Sequence, residues 1–238
     1  MPRREIATST LLIGHSILVG LTPLVPVPIL DDRLRSYFER RLTREIAARR
    51  GITLDEDDLR MVGEGPGQDF WAELRRGALL LPVRLLLRKV FLFLNVKRAS
   101  DAASTTYNRG YLLDVALAAQ AHPPHRRAEE LRAAIDGTLL DTPHSPIGTA
   151  VRLSFEGSKA LLRQALSGFV AVLRRLGGAT GDVDLAQAIG AEESDVFAAL
   201  VARVREAVED VPAAHFQALE DRLLARLADR EGASDATA

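Results

Sequence analysis

The apolar stretch 69–98 constrains the fold more than any other part of the chain. Most residues from Ala78 to Val96 are Leu, Val or Phe. Placed on a helix at about 100° per residue, most of its polar and small residues fall on one narrow face: Glu73, Gly77, Arg84, Arg88 and Asn95. Lys89 alone lies on the far side. A helix that is apolar around most of its circumference must be buried, in protein or in lipid.

A free-standing transmembrane helix is disfavoured here. Inserting Arg84, Arg88 and Lys89 near the middle costs about 7–10 kcal/mol together, while about a dozen Leu, Val and Phe return only about 4–7 kcal/mol. A helix that lies at the membrane interface avoids most of this insertion cost, because its Arg and Lys side chains can reach the headgroups while Leu and Phe are buried. We therefore predict that these three cations contact an anionic lipid surface or an anionic partner. The alternative is the central helix of a soluble bundle.

The N-terminal stretch Ile6–Leu30 contains 25 residues without a formal charge. Three prolines, the first at Pro23, stop its helix near Leu21. About 16 helical residues span only about 24 Å, less than the hydrocarbon core of a bilayer. A signal peptide would need a small-residue cleavage site, which this proline-rich stretch does not offer. We predict a buried core helix or a segment that dips into the membrane.

The composition favours helix, since Ala, Leu and Arg dominate and aromatic residues make up only 5%. We predict an all-α, multi-helix bundle of about nine or ten helices with a small C-terminal helical appendage. The proposed domains are a main bundle (1–176), a C-terminal helical subdomain (182–231) and a disordered tail (232–238). Predicted helices include one capped by Asp31, one over 126–140, and one over 147–176. Ser145 and Pro146 are predicted to be the N-cap and the first helical position of the last of these.

The charges are uneven, with a net +5 over residues 1–110 and −6 over the remainder. An acidic second half argues against a general nucleic-acid binder. Residues 185–200 have the spacing of a DNA-binding helix-turn-helix, but the helix that would enter the groove carries Glu192, Glu193 and Asp195. Such carboxylates repel the phosphate backbone. We predict no nucleic-acid partner.

Sequence signals for catalysis, metals or cofactors are missing. The chain has no phosphate-binding loop of the Walker type, no Gly-x-Ser-x-Gly elbow and no His-Glu-x-x-His motif. With zero cysteines, thiolate chemistry and disulfides are excluded, in keeping with a reducing compartment. His122 and His125 straddle two prolines and are interpreted as a surface turn rather than metal ligands. We predict no catalytic residue, no metal and no cofactor.

The densest group of polar and aromatic residues lies between Tyr107 and Asp114. It includes Arg109 and Tyr111, with Asn108 beside them. If the protein has a small-molecule site, we expect this polar pocket to hold it. The alternative is that these side chains form hydrogen bonds between helices.

A family resemblance covers residues 6–51. The segment Val19–Asp31 joins an apolar helix through a proline-rich elbow to an amphipathic helix that ends at Arg50-Gly51. This pattern resembles bacterial EcsC-like and related membrane-associated helical domains. The resemblance implies a cytoplasmic helical protein that works at or near the inner membrane.

Together these observations predict a non-enzymatic cytoplasmic helical protein that associates peripherally with the membrane through residues 6–30 and 75–98. The alternative is a soluble helical scaffold or adaptor that binds protein partners.

Overall fold

The structure, a computed structural model, describes residues 3–25, 28–55, 57–59, 89–119, 126–142, 145–177 and 194–235. Of these residues 89% are helical, in nine helices, and none is in a strand. The predicted all-α, multi-helix bundle is confirmed.

The helices are numbered in chain order. They are α1 (Arg3–Ala7), α2 (Thr10–Leu21), α3 (Pro28–Arg49), α4 (Lys89–Ala118), α5 (Arg126–Leu140), α6 (Pro146–Gly157), α7 (Lys159–Gly177), α8 (Ser194–Glu209) and α9 (Ala213–Asp235). A 3₁₀ turn, Thr22–Leu24, follows α2. The predicted end of the N-terminal helix at Leu21 and the whole of the 126–140 helix are confirmed.

Helix α2 lies inside the bundle. Every residue from Leu12 to Leu21 is buried, and α2 packs against α3, α4 and α8. By length and composition alone, Glu5–Leu24 is apolar enough to cross a membrane, but 72% of the apolar window within it is buried inside the protein. Such burial is typical of a core helix.

Helix α4 organises the packing. It contacts α1, α2, α3, α5, α6 and α9. One hydrophobic cluster joins these helices with α7 and α8, and Phe38, Tyr111, Phe155 and Phe169 are among its fully buried members. The bundle is therefore built around the pair α2 and α4.

Glycines allow α2 and α4 to approach each other closely. A Cβ on Gly20 would lie 2.9 Å from both the Ala103 Cβ and the Ala99 carbonyl oxygen. On the facing helix, a Cβ on Gly110 would collide with the Leu12 side chain. The separation of the two central helices therefore depends on positions without a side chain.

The start of the third helix differs from the prediction. Asp31 was expected to cap it, but α3 begins at Pro28, so Asp31 lies in its first turn. Burial raises the pKa of Asp31 above its usual 3.8, although a hydrogen bond with the Thr22 side chain acts in the opposite direction. The helix begins at Pro28 because the fixed φ of proline is compatible with the first helical position.

The prediction of one long helix over 147–176 is wrong in one respect, because the structure has two helices there. The chain leaves the helical conformation at Ser158 (φ −118°, ψ 32°), which separates α6 from α7. Gly157 precedes this break, and glycine is a poor helix former. The carbonyl of Ser158 accepts the Leu162 N–H at 2.9 Å, so the same residue begins the next helix.

The last two helices fold with the bundle. Helix α8 packs on α2, α6 and α7, and α9 packs on α4 and α5. Both contribute to the common hydrophobic cluster, for example through Leu200 and Leu223. The boundary predicted near Gly181 lies outside the described residues, and α9 continues to Asp235, beyond the predicted start of the tail.

Candidate functional site

The residues predicted to form a polar pocket lie on α4 but point to four different partners. The Tyr107 hydroxyl donates to the Ala7 carbonyl oxygen at 2.6 Å, and burial raises its pKa well above the usual 10.0. The Tyr111 hydroxyl donates to the buried carboxyl of Glu220 on α9. Both tyrosines are fully buried, so they join α4 to α1 and α9.

The two charged members form ion pairs with other helices. Arg109 Nη2 lies 2.9 Å from Asp136 Oδ1 on α5, and Arg50 Nε lies 2.6 Å from Asp114 Oδ1, which links α3 to α4. Arg109 also lines a cavity of about 40 Å³ between α3, α4 and α5. The four side chains are thus interhelical contacts, and they do not surround one common space.

The side chains of the predicted membrane-contact residues lie outside the described part of the chain. Arg84 and Arg88 lie outside the described residues, and α4 begins at Lys89, whose side chain is also outside them. Further along α4, Val96 is buried while Lys97 and Arg98 are exposed.

Breaking the Tyr111–Glu220 contact is expected to destabilise the bundle. Tyr111→Phe leaves the buried carboxyl of Glu220 with one donor fewer, at a cost of about 1–3 kcal/mol in the free energy of unfolding. Urea unfolding of Tyr111→Phe, Glu220→Gln and the double variant measures the coupling energy. Additive losses would show that the two side chains do not interact.

A different surface of α4 forms a groove with α5 and α6, here called the polar groove, of about 690 Å³. Lys97, Asp101, Ser104 and Asn108 line it, spaced by four, three and four residues, so they share one helical face. Thr105 lies beside them. This wall offers one ammonium, one carboxylate, two hydroxyls and one amide.

The opposite wall comes from the end of α5 and the first two turns of α6. Its lining residues are Leu139, Thr142, Ser145, Pro146, Gly148, Thr149 and Arg152. Ser145 is the N-cap residue and Pro146 the first helical residue, as the sequence predicts. The amino terminus of α6 therefore opens onto the groove, with Arg152 exposed beside it.

Helix α9 holds this second wall in position. Arg222 Nη1 donates to Thr142 Oγ1 at 2.8 Å, and Arg226 Nη2 donates to Asp141 Oδ2. Ser145 Oγ and His215 Nε2 are 3.4 Å apart. Helix α9 therefore holds both ends of the connection between α5 and α6.

The pKa of His215 makes this region sensitive to acid. Burial, and next the Arg222 guanidinium, lower this pKa below the usual 6.5. The unfolded chain therefore binds a proton here at higher pH than the folded protein does. Stability is expected to fall as the pH drops through about 6.5 towards the folded pKa. Urea unfolding of His215→Gln over that range checks this, and a pH dependence equal to that of the wild type would contradict it.

Asn108 is the unusual residue of the groove. It is only 7% exposed, and its Oδ1 is buried with no hydrogen-bond partner among the described residues. Buried side-chain amides are normally satisfied, so an orphaned one needs an explanation. Because Oδ1 itself is fully buried, a ligand in the groove can contact this side chain only through its amide nitrogen.

Few groups in the described part of the groove suit acid–base or nucleophilic chemistry. Among the described lining residues Asp101 is the one carboxylate. Ser145 Oγ lies 3.4 Å from His215 Nε2, which exceeds the usual nucleophile–base distance of about 2.6–3.2 Å. Within the described ranges, no group of three or more His, Asp or Glu side chains is arranged to hold a metal ion.

Sequence reasoning missed this groove. The signals were present as the Ser145-Pro146 helix start and as the polar residues spaced along one face of α4. What the sequence lacked was the pairing of α4 with α6, which brings residues about 40 positions apart into one lining.

Comparisons with known proteins add no relative: no protein-family model, curated protein or solved structure matches the chain. The resemblance of residues 6–51 to EcsC-like domains stays a prediction.

Proposed function

We propose that this protein is a non-enzymatic helical binding protein that holds a small polar ligand in the polar groove. The observation that carries the proposal is the orphaned amide of Asn108, buried at the wall of an open groove. An unsatisfied buried polar group costs about 1–3 kcal/mol, which a folded protein ordinarily avoids. Asn108 also lines the groove, where its amide N–H groups can donate hydrogen bonds to a ligand.

The lining residues support a polar ligand. Hydroxyls from Ser104, Thr105, Thr142 and Thr149 can each donate and accept a hydrogen bond. Leu139 and Pro146 are the apolar residues among the described members of the lining. The cysteine-free composition is in keeping with a cytoplasmic location.

A ligand screen tests the proposal. Saturation-transfer NMR with phosphorylated, carboxylated and neutral hydroxylated compounds of low mass is expected to identify binders of the wild type that Asn108→Ala does not bind. If no compound binds the wild type, or if every binder is retained by Asn108→Ala, the groove is not the binding site.

Peripheral membrane association is the second candidate. The observation in its favour is the stretch 75–98, where Arg84, Arg88 and Lys89 interrupt a run of Leu, Val and Phe. Burial of α2 leaves this stretch, rather than residues 6–30, as the segment for lipid contact.

Vesicle co-sedimentation tests that candidate. The wild type is expected to bind anionic vesicles more than neutral ones, and changing the three cations to Glu is expected to abolish the difference. If binding depends neither on vesicle charge nor on these substitutions, the protein does not associate with the membrane through these three cations.

A protein-docking scaffold has less support. The large exposed apolar side chains, Leu140, Leu153 and Leu224, lie on three different helices of the described bundle. Single exposed apolar residues are normal on protein surfaces and do not define a docking face.

A further inference from the structure

The polar groove has an electrostatic bias towards anions. The described residues of its lining include two exposed cations, Lys97 and Arg152, against the single carboxylate of Asp101. The cations come from different helices, so the positive charge borders the groove from both walls. The other described lining residues are neutral.

The amino terminus of α6 adds to this bias. The first-turn N–H groups of a helix have no intrahelical acceptor and attract negative charge. A Ser N-cap usually satisfies one of them, but Ser145 makes no side-chain cap hydrogen bond and lies near His215 instead. The N–H groups of Ile147 and Gly148 therefore lack the acceptor that an N-cap serine normally provides.

Asn108 provides an independent indication of a ligand. Asn108 is 93% buried, lines the groove and has no side-chain hydrogen-bond partner for its Oδ1 in the described structure. Since Oδ1 is fully buried, the amide nitrogen is the end of the side chain that can donate to a group in the groove.

We propose that the polar groove binds the phosphate of a small hydroxylated phosphate monoester at the amino terminus of α6, with Lys97 and Arg152 supplying the counter-charge. This inference rests on the proposed function. A phosphate monoester presents three strong acceptor oxygens, which suits a lining rich in N–H and O–H donors. Asp101 accepts a hydrogen bond from a ligand hydroxyl.

The same phosphate chemistry occurs in soluble metabolites and in lipid headgroups. The groove favours the soluble form, because the free hydroxyl groups of a soluble ester can pair with Asp101 and the lining hydroxyls, whereas the glycerol hydroxyls of phosphatidic acid are esterified. Glycerol phosphate and vesicles that contain phosphatidic acid present similar headgroups in the two forms, so they distinguish the sources.

Isothermal titration calorimetry with glycerol phosphate, inorganic phosphate and glycerol tests the proposal. The wild type is expected to bind glycerol phosphate most tightly, inorganic phosphate more weakly and glycerol not at all. Arg152→Gln and Lys97→Gln are each expected to weaken glycerol phosphate at least about tenfold, as loss of a charge-assisted contact should. Arg203→Gln, an exposed arginine of α8 outside this groove, is the matched control and should bind like the wild type.

The outcomes separate this inference from the proposed function. Suppose that a neutral compound from the screen binds the wild type and Arg152→Gln but not Asn108→Ala. This result would overturn the phosphate assignment and leave the groove as a binding site. No binding by any compound overturns both. Binding to phosphatidic acid vesicles without binding to glycerol phosphate would overturn the inference that the ligand is a soluble ester. The supporting result is glycerol phosphate binding that requires both cations and Asn108.

Discussion

Replacing Gly20 with alanine is expected to destabilise the protein by about 1–3 kcal/mol, because one added methyl group overpacks the contact between α2 and α4. The new Cβ would lie 2.9 Å from the Ala103 Cβ and from the Ala99 carbonyl oxygen, and 3.2 Å from the Phe155 ring. Ala99 and Ala103 both belong to α4, so relieving these contacts requires the central helix itself to move. Urea unfolding measures the effect.

Gly14 is the matched control, since it lies in the same helix. A Cβ there would meet the Phe197 ring at 3.6 Å, an ordinary van der Waals distance. Alanine is the better helix former by about 1 kcal/mol, so Gly14→Ala is expected to be neutral or stabilising. Equal effects of the two substitutions would contradict the close packing of α2 on α4.

Replacing Asn108 with alanine is expected to raise stability and remove ligand binding. The variant no longer buries an unpaired amide, and alanine favours helix more than asparagine does, so we expect a gain of about 1 kcal/mol. Binding is expected to fall because the ligand loses its contact with this wall. Such opposite effects are typical of residues kept for function.

Thr138→Ala is the control for a buried polar residue away from the groove lining. Thr138 is fully buried on α5, and its hydroxyl donates to the Ala134 carbonyl oxygen at 2.8 Å. We expect it to lose about 1 kcal/mol of stability and to bind ligand like the wild type. If Asn108→Ala lost stability as well, Asn108 would be an ordinary structural residue.

The sequence predicted the helices well where local chemistry determines them. The prolines after Leu21 end α2, and Gly51, whose φ is +70°, follows the end of α3. Ser145-Pro146 marks the start of α6. In each case a residue with a restricted or unusual backbone conformation acts on its immediate neighbours, so no knowledge of the tertiary fold is needed.

Interactions between distant segments were harder to predict. The uncharged N-terminal stretch was compatible with lipid or protein, and only the packing of α3, α4 and α8 around α2 decides for protein. The polar residues 107–114 looked like one site because they are close in sequence. On a helix they project in different directions, so Tyr107 and Tyr111 reach different helices.

The most direct test of the proposed site is the side-chain amide of Asn108 itself. The chain has two asparagines, Asn95 and Asn108, so ¹⁵N-asparagine labelling gives two side-chain amide signals that Asn108→Ala assigns. Saturating glycerol phosphate is expected to shift the Asn108 amide signal. An Asn108 amide that does not move at any concentration of the phosphate ester would contradict the account.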